Sequence, residues 1–167
     1  MNTKWISVDL KNPDHRADAL AIFHSNDDYF LLSGGKKATV DSLAEICTSL
    51  PPQTTLKQKK VLLVYEEGMP LALLDLIQGY PSRDCAYIGL LIVHGNRQNK
   101  GWGLHILQEL EQRCAAEGYV RLRLGVLSNN PGALAFWTKM GFTEQLLPKD
   151  NKAQSIHVME KMLIPTL

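Results

Sequence analysis

The chain is poor in every feature that would point to covalent or metal cross-linking. It has three cysteines, Cys47, Cys85 and Cys114. The number is odd, no two are spaced as CxxC, and no histidine cluster accompanies them, so neither a disulfide framework nor a zinc site is expected. Cys47 and Cys114 fall on apolar positions of helical patterns and read as buried thiols. No apolar run approaches the length of a membrane span. The opening MNTKWISVDL lacks the continuous apolar segment and small-residue cleavage site of a secretory leader. The expectation is a cytoplasmic protein with no membrane partner. An excess of one charge is lacking too: Lys+Arg number 18 and Asp+Glu 17, a net charge of +1. Such a chain has no overall field to draw nucleic acid or an anionic surface. Repeats, linkers and low-complexity tracts are also missing.

What is present is an ordinary globular composition, 45% apolar and 21% charged over 167 residues. That predicts a single domain over 1–167, large enough to bury a core without cross-links. Residues 4–10 alternate as a short strand, and 14–24 carry Ala17, Leu20, Ala21 and His24 at helical spacing. Ser25 to Lys37 mixes turn formers with Tyr29, Phe30, Leu31 and Leu32 and reads as a loop with apolar anchors. Residues 40–50 form a second helix, stopped by Pro51-Pro52. Gln53 to Lys60 reads as a loop whose lysines are solvated. Residues 61–78 read as a hairpin turning at 66–69, and Ala86 to Val93 as a nearly continuous apolar strand of a sheet centre.

The period then changes. Gly101 to Glu117 is helical, with Ile106, Leu107, Leu110 and Cys114 on one face. Residues 120–127 alternate as a strand. Asn130-Pro131 is an N-cap with proline at the first helical position, opening a helix that runs to Met140 and stops at Gly141. Phe142 onward and Ser155 to Met162 read as strands. The order β, α, α, β, β, β, α, β, α, β, β predicts an α/β (α+β) fold: a mixed, mostly antiparallel sheet of about seven strands, with a central parallel strand–helix–strand unit over 86–127.

The segment Gln98-Asn99-Lys100-Gly101-Trp102-Gly103 follows a strand and opens a helix. In that setting backbone N–H groups and the helix dipole meet an anion, and glycines let the backbone approach phosphate oxygens. A Walker A loop needs Lys-Ser/Thr after its last glycine, which is absent here. A dinucleotide fingerprint needs a third small residue where Ile106 stands. The spacing Gln/Arg-x-x-Gly-x-Gly after a buried strand instead resembles the coenzyme A loop of the GCN5-related N-acetyltransferase (GNAT) family. A second mark of that family lies downstream: Asn130, Ala133 three on, Trp137 seven on and Gly141-Phe142 eleven on. The resemblance is close over 61–145.

The resemblance implies a GNAT-like fold, acetyl-CoA as cosubstrate, no metal, and transfer of the acetyl group to a primary amine by direct attack in a ternary complex. Carried over by position, backbone groups of Leu91, Ile92 and Val93 would face the pantetheine arm. Amides from Gln98 through Asn99, Lys100, Gly101, Trp102 and Gly103 to Leu104 would hold the pyrophosphate. Asn130 would bond the pantetheine or thioester end, and Ala133 and Trp137 would wall the coenzyme; Asn130 has the alternative role of a plain helix N-cap. Many relatives have a Tyr acid where this chain has Trp137, and indole N–H is no useful proton donor. Many also place a Glu on the strand equivalent to 86–93, where Gly89 and Leu90 stand. Asp75, inside the apolar run Leu71 to Ile77, is the best substitute base, with a purely structural pairing as its alternative. Tyr87 is the next catalytic candidate. Asp28, Tyr29, Phe30 and Tyr80 are candidates to contact the acceptor. The near-zero charge favours a small-molecule amine over a charged protein tail. The assembly expected is a monomer or homodimer, and a coenzyme A-binding sensor with lost catalysis is the alternative function.

Overall fold

The computed structural model describes residues 1–146 and 156–164. Strand β1 (Thr3–Ser7) leads into three helices, α1 (Pro13–His24), α2 (Asp27–Gly34) and α3 (Val40–Thr48). After a 3₁₀ turn at Leu56–Gln58 come strands β2 (Lys59–Glu66), β3 (Met69–Gln78) and β4 (Cys85–Val93). A second 3₁₀ turn at Gly95–Arg97 precedes helix α4 (Trp102–Ala116). Strand β5 (Arg121–Leu127), helix α5 (Pro131–Lys139) and strands β6 (Thr143–Glu144) and β7 (Ile156–Met162) follow. Among the described residues the seven strands form one sheet in the order β1-β2-β3-β4-β5-β7-β6. The β4–β5 pair is parallel, as expected for the unit over 86–127, and β1–β2, β2–β3, β5–β7 and β6–β7 are antiparallel.

The chain divides into two compact units, Met1–Ile77 with Gly89–Gly103, and Gln78–Ile88 with Leu104–Leu167. In the first, α1 buries Ala19, Ile22 and Phe23, one helical stripe, together with Leu43 of α3 and the alternating Val61 and Leu63 of β2. In the second, α4 buries Ile106, Leu107, Leu110 and Cys114, while β5 turns Leu122, Leu124 and Val126 inward. Each such fully buried Val, Leu, Ile or Phe side chain stabilises by about 1.5–3 kcal/mol. The boundary falls inside β4: its pairs with β5 run from Cys85↔Arg121 to Ile88↔Leu124, and Gly89 begins the part that belongs to the first unit.

Three local readings are corrected. The stretch 25–37 is not a loop, because Asn26 stands at the N-cap of α2, Asp27 and Asp28 fill its first turn, and Gly35 closes it at φ 73. Its turn formers are the caps of a helix. Next, the lysines of 53–60 are not all solvated. Lys59 opens β2, and its side chain is only 3% exposed. Lastly, the strand expected from Phe142 onward is only Thr143–Glu144 within the described residues, while Ser155 lies outside them.

Candidate functional site

Two backbone facts shape the 94–103 loop, which lies in the first unit. The His94 N–H donates to Leu71 O at 2.7 Å, which ties the end of β4 to β3. Asn99 (φ 59) and Gly101 (φ 83) then adopt left-handed conformations and turn the chain into α4. A glycine is the natural residue at the second of these, since a Cβ is disfavoured there. The first N–H groups of a helix have no acceptor within it, and the helix dipole places partial positive charge there, which is the setting in which an anion can be bound. Lys100 adds a cation, and its Nζ folds back onto Asn96 O at 3.0 Å.

Side chains brace the loop from beneath. Arg97 pairs with Glu66 of β2 and lies 5.3 Å from the ring centroid of Trp102. Trp102 is buried, so it anchors the start of α4. The Gln98 side chain points back into the protein, donating to Asn26 Oδ1 at 2.6 Å and to Val93 O at 2.9 Å. Of the three β4 residues expected along a pantetheine arm, Ile92 is buried, whereas Leu91 and Val93 are half-buried.

The candidate base is also in the first unit. Asp75 is 7% exposed. Its Oδ2 accepts from Lys59 Nζ at 3.1 Å. Its Oδ1 lies 3.0 Å from the same nitrogen, yet among the described residues no donor meets it in hydrogen-bond geometry. Lys59 also donates to Ser49 O at 2.7 Å. Burial pushes the Asp75 carboxyl above its ordinary range, and the Lys59 bond and charge only partly offset this. A Cβ built on Gly89 would overlap Asp75 Oδ2 and stand 3.0 Å from its Cγ. Gly89 is thus what lets the carboxylate lie against β4. Sequence reasoning missed Lys59. The period of two running back from Leu63 through Val61 would have placed it on an inward face.

The remaining candidates fall into two groups. On α2, Tyr29 and Phe30 make an edge-on ring pair at 5.2 Å and pack against the first unit's core, leaving Asp28 exposed. In the second unit Tyr80 and Tyr87 are edge-on at 5.3 Å. Burial, then the neighbouring Tyr80, pushes the Tyr87 phenol up. Asn130 caps α5, its Oδ1 accepting from Ala133 N–H at 3.1 Å. Trp137 is buried edge-on to Phe136 at 5.0 Å and to Phe142 at 5.1 Å. Ala133, on the same helix, is half-buried.

The model of the acetyltransferase (GNAT) family matches residues 21–142. The chain belongs to the GNAT family. Its members are acyl-CoA-dependent acyltransferases, and the loop and the α5 signature both lie inside the matched span. Solved structures repeat the fold along the whole chain. An acetyltransferase from Thermus thermophilus superposes with a TM-score of 0.78 at 23% identity, covering 98% of each chain. The PaiA N-acetyltransferase from Thermoplasma acidophilum, solved with coenzyme A, gives 0.67 at 14% identity over 97% of this chain and 99% of that one. The ribosomal-protein-S18-alanine N-acetyltransferase from Escherichia coli gives 0.65 at 15% identity, covering 97% and 94%. No curated protein matches the sequence. In this GNAT chain, among the described residues, no three His, Cys, Asp or Glu side chains are grouped to hold a metal ion. No helix among them is long and apolar enough to cross a membrane.

Proposed function

We propose that the protein transfers the acetyl group of acetyl-CoA to the primary amine of a small molecule, in a ternary complex. The coenzyme brings the activated thioester. The backbone of 98–104 holds its pyrophosphate, and the edge of β4 at Leu91 to Val93 takes the pantetheine arm in the manner of an added strand. The left-handed turn at Asn99 and Gly101 running into α4 fits that anion. The small-molecule acceptor rests on the near-zero net charge of +1.

The observation that carries the catalytic reading is the seating of Asp75 against Gly89. An amine acceptor is an ammonium at neutral pH, with a pKa of roughly 10.4 for a lysine-type group, and must lose a proton before it attacks. Asp75 has a carboxyl pushed upward by burial, with the Lys59 ammonium 3.0 Å from its Oδ1. It therefore combines a raised proton affinity with a seat against β4, and a carboxylate of that kind can serve as a general base. Lys59 keeps the carboxylate ionised and aimed. The departing thiolate, with a thiol pKa of about 8.5, leaves without an acid. This agrees with a Trp, packed among phenylalanines, at position 137.

Calorimetric titration with acetyl-CoA, coenzyme A, ATP and NAD tests the first half: the two coenzyme A species bind and the others do not. Thiol release over a panel of small amines and N-terminal peptides tests the second. Turnover only with peptides would replace the small-molecule acceptor, and binding without any release would favour a coenzyme A sensor. Asp75→Asn should lower turnover at least about a hundredfold, the low end for general-base catalysis, with coenzyme affinity little changed.

A further inference from the structure

The α1–α2 corner does something its sequence would not require. Asn26 occupies the N-cap of α2, where an asparagine ordinarily turns its side chain onto its own helix. Here it makes no capping bond. Its amide instead reaches across 67 positions to donate to Val93 O at 3.0 Å, at the end of β4. The same nitrogen donates to Ile22 O at 2.9 Å, and its Oδ1 receives the Gln98 amide at 2.6 Å. Gln98 in turn donates to Val93 O at 2.9 Å, so one carbonyl receives both side chains. The neighbouring Ser25 hydroxyl accepts the Gly95 N–H at 2.8 Å and donates to Ile22 O at 2.6 Å. Backbone meets backbone as well: a Cβ on Gly95 would stand 2.6 Å from Ser25 O.

All six residues, Ile22, Ser25, Asn26, Val93, Gly95 and Gln98, lie in the first unit, on two segments. One is the turn that ends α1 and starts α2. The other is the entry to the 98–104 loop. Helix α2 has no buried residue of its own. Its first carbonyl acceptor is Asn26 O, which takes the Tyr29 and Phe30 N–H groups at 3.0 and 3.4 Å. A helix of eight residues is marginal by itself and depends on tertiary contacts, which here are the packing of Tyr29 and Phe30 on the core and the bonds that fix its start.

We propose that Ser25 and Asn26 form a latch linking the coenzyme loop to α2, with Asn26 as a positioning residue. This rests on the coenzyme reading of the loop. Holding the pyrophosphate fixes Gln98 and Val93, those two hold Asn26, and Asn26 sets the first turn of the helix that carries Asp28, Tyr29 and Phe30. Coenzyme binding then orders α2, and by reciprocity an ordered α2 tightens the coenzyme.

Hydrogen–deuterium exchange of the whole chain, with and without coenzyme A, tests this. In the wild type, coenzyme A should slow exchange over Asp27–Gly34 as well as over the loop. Asn26→Ala, checked for native far-UV circular dichroism, should still bind coenzyme A, weakened roughly two- to tenfold for the loss of hydrogen bonds, and should lose the α2 protection. Its acceptor KM should rise more than kcat falls, and Asn26→Ser should recover less than half of the effect. Coenzyme binding that leaves 27–34 unprotected in the wild type would overturn the latch alone, as would full protection in Asn26→Ala. No coenzyme A binding by the wild type would overturn the loop assignment and the latch with it.

Discussion

Removing Lys59 should be among the most damaging single changes available outside the apolar core. The side chains of Lys59 and Asp75 are 3% and 10% exposed, with Nζ 3.0 Å from Oδ1. Lys59→Met keeps the aliphatic stem and deletes the charge, stranding a buried carboxylate and leaving Ser49 O without its 2.7 Å donor. Breaking one side of a buried pair costs about 3–5 kcal/mol. In a chain of this size each kcal/mol lowers Tm by roughly 2–4 °C, so a fall of about 6–20 °C is expected. Replacing both partners, Lys59→Met with Asp75→Leu, removes the stranded charge and should return stability to within about 2 kcal/mol of wild type. The pH dependence has a definite sign. Burial already raises the Asp75 carboxyl above its ordinary value, and Lys59 opposes that rise. Without Lys59 the folded pKa climbs further, while the unfolded chain titrates near about 3.9. A group raised on folding contributes stability that is lost as pH increases through its folded pKa. The deficit of Lys59→Met relative to wild type should therefore be largest near neutrality and shrink toward about pH 5. Urea unfolding of wild type, both singles and the double at the two pH values measures all of this. A neutral-pH deficit below about 1 kcal/mol, or one that grows on acidification, would refute the buried-pair argument.

Gly103→Glu places a side chain and a negative charge in the first turn of α4, where the pyrophosphate is proposed to sit. Coenzyme A binding by calorimetry should be abolished, and unchanged affinity would contradict the loop assignment. Gly95→Ala drives a Cβ to 2.6 Å from Ser25 O, a backbone atom that cannot rotate away. It should cost about 1–3 kcal/mol of stability in urea and weaken coenzyme binding; a neutral effect on both would mean the corner is free to shift. Gly89→Ala collides with the Asp75 carboxylate, so steady-state kinetics should show kcat falling at least about tenfold with coenzyme Kd held within twofold. Equal losses in both would point to a distorted strand instead of a displaced base.

Much of the fold was legible because its signals are local. The α4 stripe of Ile106, Leu107, Leu110 and Cys114 and the alternation of Leu122, Leu124 and Val126 each fix a period within one element, and the structure buries all seven. The turn into α4 was legible for a similar reason, since glycine spacing before a helix is a statement about backbone. Helix α2 was misread because Ser25, Asn26, Asp27 and Asp28 have equal standing as loop residues and as helix caps. What separates them is tertiary: Tyr29 and Phe30 pack on the first unit's core, and Asn26 bonds Val93 and Gln98, 67 and 72 positions away. Lys59 was misread because a lysine in a polar run is solvated far more often than not. Its partner, Asp75, becomes adjacent only through the β2–β3 register, in which Lys59 faces Ile77 and Val61 faces Asp75.

The carboxylate of Asp75 and the missing side chain at Gly89 are one feature seen from two strands. A glutamate on β4 would deliver a carboxylate from that strand directly. With glycine at 89 the space is open, and β3 fills it with a shorter acid from the neighbouring register. A side chain at 89 and the present seat of Asp75 compete for one space, because a Cβ at 89 overlaps Asp75 Oδ2 and would force it to shift. They also differ in their electrostatic surroundings. An acid delivered from the interior of β3 is almost wholly withdrawn from water and needs a resident cation to stay ionised, and Lys59 is that cation. The buried lysine, the acid in an apolar strand and the mid-strand glycine, each odd by itself, thus require one another. A change at any one of them should be felt through the other two.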